Sequence, residues 1–259
     1  MSLFCPTAVD ILIPTKEQGE REYRKMIENQ YLIYTYYGVT QGEESESVIY
    51  KAARRTYLDF CRRISFQGKI SIEQKYESER RIEDLLMKEL SSLFQVRGQE
   101  EFDEKHHAVC QHVLQIYDRI CSQTYGIVQR WVNQTLLHLV VIEANLHTDY
   151  WNIEDTRKYF HVPVEQYVLE AATSKRKHKF QNGLNLKSAP LKHDRTENYE
   201  MGWFYPGEIQ PAEFWDYPEY IEFQRAVRAR IWSVFPHTYR DCLCWAFQAY
   251  LEVSRRRNI

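Results

Sequence analysis

The stretch that decides the fold runs from Thr124 to Ile142, TYGIVQRWVNQTLLHLVVI. A glycine, Gly126, follows a tyrosine and opens a segment with almost no polar stripe. Leu136, Leu137, Leu139, Val140, Val141 and Ile142 leave no solvated side on a 3.6-residue period, so a helix over 127–142 is expected to be buried on most faces. Three polar residues, Gln129, Arg130 and Asn133, stand within its first two turns. Their place at the mouth of the most apolar segment asks for a reason.

The same period extends outward in both directions. Ile72, Ile82, Leu85, Leu86, Leu90, Leu93 and Phe94 recur at three- and four-residue steps and predict a helix over 71–94. Val109, Val113, Ile116 and Tyr117 predict another over 102–120. Further helices are expected over 20–37, a tyrosine-rich piece ending at Gly38, and over 47–64. Downstream, a short helix is expected near 154–160 and one led by Pro163 in its first turn. Two more are expected over 217–232 and 236–256. Residues 174–215 lack periodicity and read as a long irregular connection. The fold class is all-α, a multi-helix orthogonal bundle with a hairpin-like element at Gly126. The chain reads as a single helical domain over 1–259, with N-terminal helices to about residue 100 and a hairpin-containing core after it.

Composition sets limits on function. The chain has 259 residues, 44% hydrophobic, with a net charge of -2, which gives no global pull toward nucleic acid or membrane. No apolar run approaches the ~20 residues of a membrane helix, and the first residues lack the pattern of a secretory signal. Six cysteines without CxxC spacing read as thiols of a reducing compartment, and a cytoplasmic location is expected. Phosphate-loop, dinucleotide, zinc-protease and esterase signatures are absent from the sequence, and no cofactor is expected.

Glycine tolerates positive φ, and the free amides at a helix start attract anions such as phosphate. Gly126 with Gln129, Arg130 and Asn133 is therefore a candidate contact for a DNA or RNA backbone. The hairpin at Gly126, with Arg130 four residues on, and the later element Val162-Pro163-Val164-Glu165 resemble the helix-hairpin-helix DNA glycosylases over about residues 120–172. The resemblance implies a backbone-gripping hairpin and a catalytic carboxylate at Glu165. The lysine of that family is replaced by Arg130. Arginine has no lone pair to attack a sugar, so a lyase step is excluded and a monofunctional N-glycosylase is implied if the chain is active. A structural reading stands beside it: Glu165 in a helix first turn is favoured by the dipole alone.

The run Lys175, Arg176, Lys177 and Lys179, with aromatics from Tyr199 to Tyr205 beyond it, suits contact with a nucleic-acid backbone. Arg54-Arg55, Arg62-Arg63 and Arg255–Arg257 form further basic clusters that read as solvated faces. His106 and Cys110 share a face and could approach a metal, with no third ligand in view and no metal expected. Arg230 and His237 resemble the R-x(4–6)-H motif of HEPN ribonucleases. The expected function is nucleic-acid binding on a glycosylase-like scaffold. The rivals are a helical interaction protein without a nucleic-acid role and a HEPN-type ribonuclease.

Overall fold

The computed structural model describes residues 16–61, 64, 66–118, 120–121, 123–148, 150–151, 153–173, 180–186 and 215–257. Among them the chain is all-helical. The elements are α1 (Lys16–Tyr37), α2 (Ser45–Phe60), α3 (Ile72–Glu89), α4 (Gln99–Tyr117), α5 (Tyr125–Leu146), α6 (Ile153–Thr156), α7 (Gln166–Thr173), α8 (Tyr217–Val234) and α9 (Cys242–Arg257). Single 3-10 turns extend α3 over Leu90–Phe94 and α6 over Arg157–Tyr159. The only extended pairing among the described residues is an isolated bridge between Phe66 and Cys121.

Local chemistry explains the helix ends. The Ser71 hydroxyl accepts from the Gln74 amide at 3.2 Å, and Gln74 Oε1 accepts from the Ser71 amide at 2.9 Å, a closed capping box at the start of α3. The Asp216 amide donates to Glu219 Oε2 at 2.6 Å and plays the same part for α8, with Pro218 in the first turn. Gly38, at φ 71°, ends α1 while its amide donates to the Tyr34 carbonyl at 2.7 Å. His147 ends α5 in the left-handed region at φ 52°.

The apolar stripes pack as one continuous core. α2 lies against α3 and α5, α4 against α3 and α5, and α7 against α9. α5 is central, with 15 of its 22 residues buried, as its unbroken apolar run requires. At its other surface α5 receives α1, and near its start it receives α8.

Two expectations are corrected. Pro163 lies outside any helix, and α7 begins only at Gln166, so Glu165 stands just before the helix, its carbonyl accepting from the Leu169 amide at 2.9 Å. α9 begins at Cys242 rather than Pro236, because the Asp241 carboxylate accepts from the Cys244 amide at 2.8 Å and caps the helix there. The described part of the connection 174–215 carries no helix or strand, as expected. Its residues 180–186 fold back on α7, with the Leu184 and Leu186 amides donating to the Ala171 and Ala172 carbonyls at 3.1 and 2.9 Å. Residues 174–179 and 187–214 lie outside the described residues. No described helix is long and apolar enough to cross a membrane.

Candidate functional site

Gly126 is not in the left-handed region. Among the described residues the glycines with positive φ are Gly38, Gly42 and Gly68, whereas Gly126 is the second residue of α5. Its amide donates to the Trp215 carbonyl at 2.9 Å, and the amides of Ile127 and Val128 share the Thr124 carbonyl at 3.2 Å. The start of α5 thus spends these amides on its own chain, where an anion would otherwise take them.

Gln129 and Asn133 are interior. They are 0% and 3% exposed, and Asn133 reaches α4 and α8. The side chains around them form a continuous chain of donors and acceptors. His106 Nε2 donates to Asn133 Oδ1 at 2.7 Å. Asn133 Nδ2 donates to Gln129 Oε1 and to the Tyr220 hydroxyl, both at 2.8 Å. Tyr220 donates to His161 Nδ1 at 2.7 Å, and His161 Nε2 donates to Asp103 Oδ1 at 2.9 Å. Gln99 reaches the same carboxylate oxygen at 2.7 Å, and Gln129 Nε2 donates to the Gly126 carbonyl at 2.8 Å. The ring tautomers follow from these partners, and both imidazoles are satisfied without a charge.

Electrostatics point the same way. Burial, and then the neighbouring His161, push His106 well below the ordinary histidine range. Burial also lowers His161, against the opposing pull of Asp103. Burial alone would raise Asp103, but the hydrogen bonds of His161 and Gln99, with the Arg228 guanidinium 3.7 Å away, outweigh it and hold the carboxyl below its ordinary value. Burial raises Tyr220 strongly. A fully satisfied network of this kind locks α4, α5 and α8 into one arrangement. That is the answer to the polar residues at the mouth of α5: Gln129 and Asn133 are internal fasteners.

The remaining sequence-derived candidates do not converge on this place. Glu165, partly buried, lies on the α7–α9 side near Tyr250, whose hydroxyl it raises electrostatically after burial. Arg130 is partly exposed, on a different side of α5 from Gln129 and Asn133. Lys175, Arg176, Lys177 and Lys179 lie outside the described residues, as do Arg62 and Arg63. Four arginines of the described basic clusters are matched by acids. Arg54 pairs with Glu79 and Glu83, Arg55 with Asp59 at 2.9 Å, Arg256 with Glu252 at 3.0 Å, and Arg257 with Glu170. Arg230 donates to the Leu184 carbonyl at 2.9 Å from α8, while His237 is exposed in the turn that follows. His106 Nδ1 and Cys110 Sγ are 3.8 Å apart, and no group of three or more metal-ligating side chains occurs among the described residues.

One open apolar surface was not singled out in the sequence. On α1, Tyr23, Ile27, Tyr31 and Tyr34 are 63%, 45%, 67% and 58% exposed. Steps of four, four and three residues put them on one face. Ile33, 5% exposed, anchors the opposite side in the core, and Tyr37 packs edge-on against His138 of α5, 5.2 Å between ring centres. Every residue from Gly19 to Lys25 is exposed. Taking the ~200 Å² typical of an aromatic side chain, the stripe presents roughly 450 Å² of apolar surface. That is the scale of the largest patch on an ordinary monomer, where such patches commonly serve binding. The signal was present in the sequence as an aromatic repeat, but periodicity alone does not distinguish a stripe that faces the core from one that faces out.

No protein-family model, curated protein or solved structure matches the chain.

Proposed function

We propose that the chain is a helical interaction protein that docks another polypeptide helix through the outward face of α1, without a nucleic-acid role. The observation that carries this reading is the exposed stripe Tyr23, Ile27, Tyr31 and Tyr34, on a helix whose first turns stand free of the bundle. A helix laid along such a face reads anchors at three- and four-residue steps. The nucleic-acid reading loses support from the occupied amides at Gly126, the burial of Gln129 and Asn133, and the acid partners of Arg54, Arg55, Arg256 and Arg257.

Two measurements test it. Full-length chain should pass immobilised DNA and RNA without retention at about 50 mM salt, where phosphate contacts are strongest. Retention that falls steeply with salt would return the glycosylase-like, nucleic-acid-binding reading to first place. On a hydrophobic-interaction column, the double variant Ile27→Asp, Tyr31→Asp should elute earlier than the parent at an unchanged melting temperature. Equal retention by a monomeric parent would mean that the chain covers its own stripe.

A further inference from the structure

We propose that the polypeptide docked on α1 is the α1 of a second copy of this chain, paired antiparallel about a two-fold axis; this rests on the interaction reading above. Two features of α1 lead there. The first is the order of its anchors. Tyr23, Ile27, Tyr31 and Tyr34 are nearly palindromic about the midpoint of residues 28 and 29. Antiparallel pairing therefore sets Tyr23 against the partner's Tyr34, and Ile27 against the partner's Tyr31. Each contact occurs twice, as a closed isologous interface requires.

The second feature is charge. All eight charged residues of α1 (Lys16, Glu17, Glu20, Arg21, Glu22, Arg24, Lys25 and Glu28) lie in its first 13 positions, and residues 29–37 carry none. In the antiparallel register each charged half lies over the partner's neutral half, and Glu28, beside the axis, is the one charged residue of α1 that meets its own copy. Arg24 comes beside the partner's Tyr34 ring, a favourable placement for a guanidinium. Parallel pairing would instead set Glu20 against the partner's Glu20 and Arg24 against the partner's Arg24, which opposes association.

Area agrees as well. Two stripes covered completely remove at most roughly 900 Å² of apolar surface, close to the ~1,000 Å² that a specific interface needs. Tyr31 and Tyr34, on the half of α1 that packs on the bundle, remain 67% and 58% exposed.

The test uses the full chain in analytical ultracentrifugation at concentrations up to about 100 µM. The parent should sediment as a dimer. Tyr23→Lys and Tyr34→Glu, each alone, should weaken self-association by about 30-fold or more at unchanged helix content by circular dichroism. Mixed in equal amounts they should regain a heterodimer within about 10-fold of the parent, because the new lysine then faces the new glutamate across the interface. A parallel pair would set position 23 against position 23, and mixing would restore nothing. A monomeric parent at the top concentration overturns self-pairing and leaves the interaction reading intact. A dimer that both variants leave unchanged, or a mixture without rescue, overturns the pairing described. Retention on nucleic acid, measured separately, overturns the reading beneath it.

Discussion

Acid should weaken the anchorage of α1, and His138 sets the amount. This histidine lies in α5, 5% exposed, against Tyr36 and Tyr37 of α1. Gln134 Nε2 approaches His138 Nε2 at 3.1 Å, so that nitrogen accepts. Nδ1 carries the hydrogen and donates to Thr56 Oγ1 at 3.1 Å, and Thr56 passes its own hydrogen to the Ala52 carbonyl at 3.1 Å. The neutral ring is satisfied, and a second proton would face the Gln134 amide group. Burial accordingly lowers the pKa from 6.5 to about 4. At pH 7 the ring is neutral both folded and unfolded and contributes no pH dependence. Below 6.5 the unfolded chain binds a proton that the folded chain refuses. Stability therefore falls as pH drops from 6.5 to about 4 and stops falling there on this account, a loss of about 3 kcal/mol. Urea unfolding at pH 7, 6, 5 and 4 measures it, with His138→Gln as the reference. The variant gives up about 1 kcal/mol at pH 7 but lacks this titration. The stability difference between parent and variant should shift by about 3 kcal/mol in the variant's favour between pH 7 and pH 4. Parallel curves would refute the reasoning. His106 and His161 steepen both curves equally and cancel in the difference.

Two further outcomes follow from the buried polar groups. Arg54→Met removes the cation from the carboxylates of Glu79 and Glu83, 4% and 2% exposed, and leaves Glu83 its hydrogen bond to Tyr50. With Arg54 itself 40% exposed, the cost at pH 7 should be about 2 kcal/mol. Glu83 is already raised by burial, and its protonation relieves the stranded charge, so the deficit should shrink between pH 7 and pH 4.5 in denaturant titrations. Asn133→Ala removes the joint between His106, Gln129 and Tyr220. It should cost about 3 kcal/mol, whereas Arg130→Gln, on the partly exposed side of the same helix, should cost less than about 1 kcal/mol. Equal melting temperatures for these two variants would show that the network is not a fastener.

Much of the architecture was legible in the residues because it depends on near neighbours. The repeat of Ile82, Leu86, Leu90 and Leu93 requires a helix with one apolar side, and Ser71 with Gln74 marks its start, all within a few turns of chain. The unbroken run from Leu136 to Ile142 required a helix buried on most faces, and α5 is that helix. Boundaries moved where a tertiary partner or cap took over, as when Asp241 rather than Pro236 began α9.

The candidate site was different in kind. Gln129 and Asn133 at a helix mouth look the same in sequence whether they face solvent phosphate or the interior. Their partners His106, His161 and Tyr220 are 27, 59 and 87 positions removed along the chain in the pairs they form, and only packing brings them together. The amide of Gly126 looked available until the Trp215 carbonyl, from the far end of the long connection, was placed upon it. The stripe on α1 shows the converse. Helical spacing by itself determined that Tyr23, Ile27, Tyr31 and Tyr34 share a face. Only the tertiary structure decided that this face looks outward, because burial depends on which side of α1 meets α5, and Ile33 had already taken that side.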